Sequence, residues 1–406
     1  MKKRTKILTI VFSCLGACIA GVAVFCVLFF GKSKNITPPS DNLSPADREI
    51  AQRFELTKIY EDSGFNQIGW KVSRANENSD VVSDGKLIVP QSYRGLPILQ
   101  IGNAFNGWTE IEQVLFSESL QTIGDENEKG SFKNCPNLER IQFADQSKIK
   151  TIGSNAFYGC SALASIDLSS CEQISNNAFE NCSQLSTIQI GNNLQKIGDY
   201  AFAYSKISEF IVPKSTTQIG ANPFAYGKLT AISVDSQNEN YRSSGNMVIE
   251  NNSDRLVIGC KNSIISYGIK IIGQSAFAGC NKSMIQLPTS VRTIEERAFE
   301  SFSGTIELNN GLQVIESFAF LDSGADFAEL PSSVTTLGTE AFEGCELAEN
   351  FVANGVYIIG IAVFAGTPIV NLTLLGGSQF APEHQGSYDF KTGSLIQVVT
   401  YLEPIE

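Results

Sequence analysis

The chain has 406 residues, a formal net charge of −12, 10 Cys and a single His. It is 43% hydrophobic and 18% charged, which excludes a disordered chain. The acidity argues against a nucleic-acid footprint, and the lone His384 rules out a site that needs two histidines from one chain.

Residues 1–6 carry four bases, Lys2, Lys3, Arg4 and Lys6, and read as a basic cytoplasmic tail. Ile7 to Phe30 follows without a charge. As a helix at ~1.5 Å per residue it would be about 36 Å long, enough to cross a ~30 Å hydrocarbon core. Three readings compete: a cleaved signal peptide, a lipoprotein site at Leu15-Gly16-Ala17-Cys18, and an uncleaved anchor. The apolar run is long for a signal peptide and ends in bulky Val-Leu-Phe-Phe. Twelve apolar residues follow Cys18, where a lipoprotein would turn polar. The expectation is therefore a transmembrane anchor over 7–30, with the N-terminus cytoplasmic and the rest extracellular by the positive-inside bias. Residues 31–53, with Pro38, Pro39 and Pro45 among Ser, Asp and Asn, read as a linker.

From about residue 101 one phrase recurs, Ile-Gly-x-x-Ala-Phe, as in Ile152 to Phe157, Ile197 to Phe202 and Ile272 to Phe277. The aligned Phe column is Phe105, Phe132, Phe157, Phe179, Phe202, Phe224, Phe277, Phe299, Phe320, Phe342 and Phe364. Most gaps are 21–27 residues, and one is 53. After each Phe comes a turn and a short alternating run, such as Ile166-Asp167-Leu168 or Ile188-Gln189-Ile190. Alternation over so few residues predicts a short strand with one buried face. A single unit cannot bury that face, so about eleven units over 101–375 should stack into a solenoid, mainly β, with a parallel sheet along one side and short turns or helical coils between strands. Residues 54–100 and 376–406 would cap its ends. The long gap predicts an insertion near 235–265. There, Met247 to Glu250 and Leu256 to Ile258 flank Asn251-Asn252-Ser253-Asp254, a hairpin signal.

Gly follows the repeat Ile in most units, but Ser175, Glu295 and Glu316 also stand there. The position therefore favours tight packing and does not require a positive φ. Five cysteines, Cys135, Cys160, Cys182, Cys280 and Cys345, lie three residues after the Phe, and Ser205, Gly227, Ser323 or Thr367 take the place in other units. This is a slot for small side chains, with buried free Cys as filler. Pairing among Cys135, Cys160 and Cys182 is the alternative if the stack is extracellular. Trp108 and Phe302 break the slot, so those two units must pack differently.

The full motif, shown almost whole by Lys150 to Leu168, resembles the BspA-like, or treponemal-type, leucine-rich repeats of bacterial and protist surface proteins. The lead-in Leu87 to Pro90, Gly95 to Pro97 and Ile101-Gly102 is similar to that family's. Departures are Ala328 and Asn350 at strand core positions and Lys282 in place of Leu. The resemblance implies a cell-surface adhesion or protein-binding role, some members binding host matrix proteins, and no catalytic residues.

The residues themselves carry no nucleophile–base set, since a His-dependent triad has only His384. Glu295-Glu296 reads as solvated charge. The chain is expected not to be an enzyme and to need no cofactor or metal. Its expected partner is a protein or extracellular-matrix ligand, with a self-associating surface scaffold or glycan binding as alternatives. The residue in the middle of each strand triplet should face outward. Most are polar, but Leu115, Ile211 and Phe351 are apolar and are candidate anchors. Tyr204 and Tyr226, each two residues after a column Phe, are a second candidate pair on a turn edge.

Overall fold

The computed structural model describes residues 43–402, except 62–63, 65, 77–80, 125–129, 146, 376–378 and 381–390. The expected anchor, most of the expected linker and His384 lie outside the described residues. Among the described residues no helix is long and apolar enough to cross a membrane. The last nine residues of the expected linker form a helix, α1 (Pro45–Arg53). Its start follows from local chemistry: the Ser44 side chain caps the Asp47 N–H at 3.1 Å, and Pro45 occupies the first turn, where no N–H is needed. Asp47 also accepts from the Arg94 N–H at 2.8 Å, which ties the helix to the repeat body and lowers the carboxyl's proton affinity.

Each repeat contributes two strands, except that in the Phe320 unit the longer one is reduced to a single bridge from Glu329 to Val352. The longer is the expected alternating one, for example Ser165–Leu168 paired in parallel with Thr187–Ile190. The shorter is a two-residue strand ending at the repeat Ile, and Thr122–Ile123, Thr151–Ile152, Gln173–Ile174, Lys196–Ile197 and Gln218–Ile219 stack as a second parallel ladder. The expectation of a parallel sheet along one side with short turns or helical coils is met by short turns, and it is corrected in having a second parallel ladder. The coil turns through two ladders, and the Ala-Phe segment between them is a turn; among the described residues α1 is the only α-helix. Two-residue strands are too short to show a period, so their ladder left no mark on the alternation.

Two hairpins begin the ladders. Phe54–Tyr60 pairs antiparallel with Gln67–Ala75, whose other edge starts the short-strand ladder against Leu96–Ile101. Val82–Ser83 and Lys86–Ile88 turn through Asp84 and Gly85, both at positive φ, and Lys86–Ile88 starts the long-strand ladder against Gln113–Phe116.

The Phe column is the spine of the core. From Phe105 to Phe224 the rings stack nearly parallel, with centroids 5.0–5.5 Å apart. From Phe277 to Phe364 the stack resumes. The spacing is close to the ~4.8 Å between strands, so each unit places its ring on the previous one. The Gly after the repeat Ile serves the same closeness: a Cβ on Gly153 would lie 2.9 Å from the Gly124 Cα.

The insertion forms Tyr241–Ser243, Val248–Glu250 and Arg255–Ile258, an antiparallel trio that includes the expected hairpin and starts a new short-strand ladder at Ile271–Ile272. The apolar core divides there into two clusters, with Met247, Ile249 and Leu256 in the second and Val248, Val257 and Ile258 in the first. A hydrogen bond bridges the division: the Asn222 amide donates to the Ala276 carbonyl at 3.0 Å. Within the first cluster the Ile219 N–H donates to the Tyr241 hydroxyl at 2.9 Å.

The five slot cysteines are free, as is every cysteine among the described residues. Cys135, Cys160 and Cys182 donate their thiols to the carbonyls of Phe105, Phe132 and Phe157 one unit earlier, at 3.1–3.2 Å. Cys345 does the same to Phe320 at 2.9 Å. The slot therefore takes a small side chain, and in these four units the thiol also satisfies a buried carbonyl. Burial pushes the Cys135 and Cys182 thiols up to about 12, so they stay protonated and unreactive.

Candidate binding surface

The residues of each long strand alternate between core and solvent, and this alternation decides the fate of the apolar candidates. Ile211 lies on Glu209–Val212 between buried Phe210 and Val212 and is 65% exposed, as expected of an anchor. Leu115 also faces outward but is only half-exposed. In the parallel register it stands between Ile88 and Gln142, and Ile88 is 56% exposed. Ile88 was not among the candidates because it precedes the first repeat and belongs to no column.

Phe351 is corrected. It is 1% exposed and packs at 5.7 Å against Phe364, and on Asn350–Ala353 the outward residues are Asn350 and Val352. Four residues separate Leu347 from Phe351, where three separate Leu163 from Ile166. The extra residue shifts the strand by one position, which moves every side chain to the opposite face. Asn350 is consequently no core residue, and its ladder partner is Asn371. Ala328 is likewise exposed, and the neighbouring Phe327 is buried in its place.

Tyr204 and Tyr226 are brought together. Their rings stack 4.7 Å apart at 5°, and Tyr204 remains 43% exposed. Both sit at positive φ, 62° and 58°. The same backbone recurs two residues after the column Phe in every unit, at Gly107, Asn134, Gly159, Asn181, Gly279, Ser301, Asp322, Gly344 and Gly366. Those residues are small or can bond locally, which is what left-handed backbone favours. Two residues before the Phe the backbone is also left-handed, yet Tyr200, Arg297 and Phe318 stand there. Left-handed geometry by itself therefore marks nothing; the stricter slot after the Phe is the one that two tyrosines break.

The surroundings hold the pair in place. A Cβ on Gly279 would lie 2.5 Å from the Tyr226 ring, so the bare glycine makes room for it. Burial, and then the Glu300 carboxylate, raises the Tyr226 hydroxyl above its ordinary range. Glu300 is itself paired with Arg297 at 2.8 Å. On the same edge of the turns Lys133 lies over the Tyr158 ring at 4.7 Å, and Asn181 donates to the Tyr158 hydroxyl. Tyr200 bonds Ser275 at 2.6 Å across the insertion. The result is an edge of phenol rings with a few cations and carboxylates among them. Among the described residues no cluster of three or more His, Cys, Asp or Glu is arranged to hold a metal ion.

No curated protein matches the sequence. Several solved structures share the fold. The pneumococcal vaccine antigen PcpA is 16% identical over 86% of this chain and 96% of its own, with a TM-score of 0.63. A leucine-rich cell surface protein from Faecalibacterium prausnitzii is 17% identical over 85% and 93%, with a TM-score of 0.55. A leucine-rich repeat protein from Eubacterium ventriosum is 18% identical over 80% and 82%, with a TM-score of 0.51. The model of the BspA type leucine-rich repeat region matches in six copies over residues 100–230 and 258–381. That is more than half of the chain and includes both halves of the Phe column, so the chain belongs to the BspA-type leucine-rich repeat family.

Proposed function

We propose that this chain is a membrane-anchored surface protein that binds a protein or extracellular-matrix partner without transforming it, and that the turn edge around Tyr204 and Tyr226 is the contact. The observation that carries the reading is the placement of two stacked tyrosines in a backbone slot that every other unit fills with Gly, Asn, Ser or Asp. Stacked phenols offer large, rigid, amphipathic contact area at low entropic cost. The apolar run 7–30 supplies the anchor, and the four bases before it set the orientation. Exposed Ile211 supplies a second apolar contact on the neighbouring sheet face.

The test is adhesion of cells displaying the full chain to surfaces coated with collagen, fibronectin or laminin. The double substitution Tyr204→Asn with Tyr226→Asn removes both rings, and Asn134 and Asn181 already occupy the equivalent slot, so the backbone is preserved. Losing two interface aromatics should weaken binding by about 100-fold or more. Equal adhesion of the variant and the parent would move the contact elsewhere. Protease access to the repeats on intact cells tests the orientation.

A further inference from the structure

The place one residue after the small slot has no fixed side chain. It holds Ser161, Ser183, Ser303, Gly324 and Glu346 in separate units. In the middle of the stack it turns basic, with Lys206 and Lys228 in the Phe202 and Phe224 units. The insertion continues the row: Lys261 follows Cys260, and its N–H donates to the carbonyl of Leu229, the residue after Lys228. Lys282 comes next, and its ammonium donates to the Lys261 carbonyl at 3.3 Å. At the other end the Lys206 N–H donates to the Leu185 carbonyl of the preceding coil. Four consecutive coils therefore carry one lysine each along a single edge. At ~4.8 Å per coil the ladder is about 14 Å long.

The ladder is uncompensated positive charge in a chain of net charge −12. Among the described residues the only lysines in ion pairs are Lys150 with Glu172 and Lys270 with Asp254. Lys206 donates instead to the Gln184 amide oxygen at 2.6 Å. Within three residues of any ladder lysine the only carboxylate is Glu209. Lys206, Lys228 and Lys261 are exposed and Lys282 is half-buried. Neighbouring like charges repel, so an anion lying along the row relieves the fold as well as binding to it. The form of the charge narrows the anion. One lysine per coil in single file suits a thin chain with charge at regular steps, whereas a small lone anion needs cations that converge. A duplex nucleic acid would press its second row of charge against the acidic body. Ammonium groups are point charges that take one anion oxygen each, as a sulfate ester presents. Asn262 follows Lys261, and Asn281 and Ser283 flank Lys282; all three are exposed and can exchange hydrogen bonds with sugar hydroxyls.

The geometry points to a binding edge for a linear sulfated polysaccharide of the glycosaminoglycan class, its sulfate esters paired in turn with Lys206, Lys228, Lys261 and Lys282. It uses neither tyrosine ring, so it stands or falls apart from the contact proposed above. The test is calorimetric titration of the full chain, in neutral detergent, with a heparin octasaccharide, an unsulfated hyaluronan octasaccharide and an oligothymidylate. Saturable heparin binding is expected, with the other two chains each weaker by about tenfold or more. Four contacts at a slope of ~0.7 each should weaken heparin binding by about 50-fold between about 50 and 200 mM salt. Lys206→Gln, Lys228→Gln and Lys261→Gln together remove exposed, unpaired cations and should lower heparin affinity by about tenfold or more, with a salt slope smaller by about 2. The control Lys58→Gln, Lys86→Gln, Lys148→Gln makes the same change of net charge at exposed lysines outside the ladder and should bind as the parent does. The Tyr204→Asn, Tyr226→Asn double variant should also bind heparin as the parent does, and a loss there would place the anion on the tyrosine edge and overturn the assignment. Absence of saturable heparin binding, hyaluronan or oligothymidylate binding as tightly as heparin, or equal weakening by the two triple variants would each overturn it as well.

Discussion

Phe157→Ala tests the stacked core directly. The ring is fully buried, with Phe132 on one face at 5.3 Å and 5° and Phe179 on the other at 5.3 Å and 8°. Burying a Phe side chain contributes about 1.5–3 kcal/mol, and each aromatic pair adds about 0.5–1.5 kcal/mol. The loss is thus about 4 kcal/mol, inside the ~3–5 kcal/mol observed for Phe-to-Ala changes in packed cores. A repeat array need not unfold in one step, so the place to measure is local. The Phe132 N–H donates to the Ala156 carbonyl, the Phe157 N–H to Ala178 and the Phe179 N–H to Ala201. Hydrogen exchange at these amides reports the opening of the units that share the ring. A loss of 4 kcal/mol corresponds to protection lower by about 1,000-fold. Amides near Phe342, in the other core cluster, should change far less. Unaltered exchange at Phe132 and Phe179 would refute the claim that stacked rings couple neighbouring units.

Three further outcomes follow from particular contacts. Phe351→Asp should destabilise the last units by more than about 4 kcal/mol, because it buries a carboxylate, whereas Val352→Asp on the outward side should fold; the reverse order in thermal melts would restore the unshifted register. Ser205 occupies the cysteine slot with a buried hydroxyl that has no partner, so Ser205→Ala should be neutral or stabilising by about 1 kcal/mol in chemical denaturation, and a clear loss would mean the hydroxyl is bonded. The Cys182 thiol is raised from 9.0 to about 12 by burial, so its contribution is complete below pH 9 and is lost as pH rises from about 9 to 12, at about 1.4 kcal/mol per pH unit. Cys182→Ala should therefore show a shallower alkaline loss of stability than the parent, and identical slopes from pH 9 to 11 would contradict a neutral buried thiol.

The repeat period, the Phe column and the small-residue slot are readable along the chain because each is a local pattern repeated many times. Repetition makes one unit the template for the next, and a face that a lone unit cannot bury forces the stacking. That is enough to place Ile211 outside and Phe157 inside. It is not enough for Phe351, since one extra residue before its strand reverses inside and outside, and only the ladder pairing with Leu372 shows where the residue was added. The short-strand ladder was hidden for a related reason, as two residues cannot display a period. The tyrosine stack depends on distance in space. Tyr204 meets Tyr226 across one turn of the coil. Packing between units brings such residues together, and no single unit's sequence encodes it.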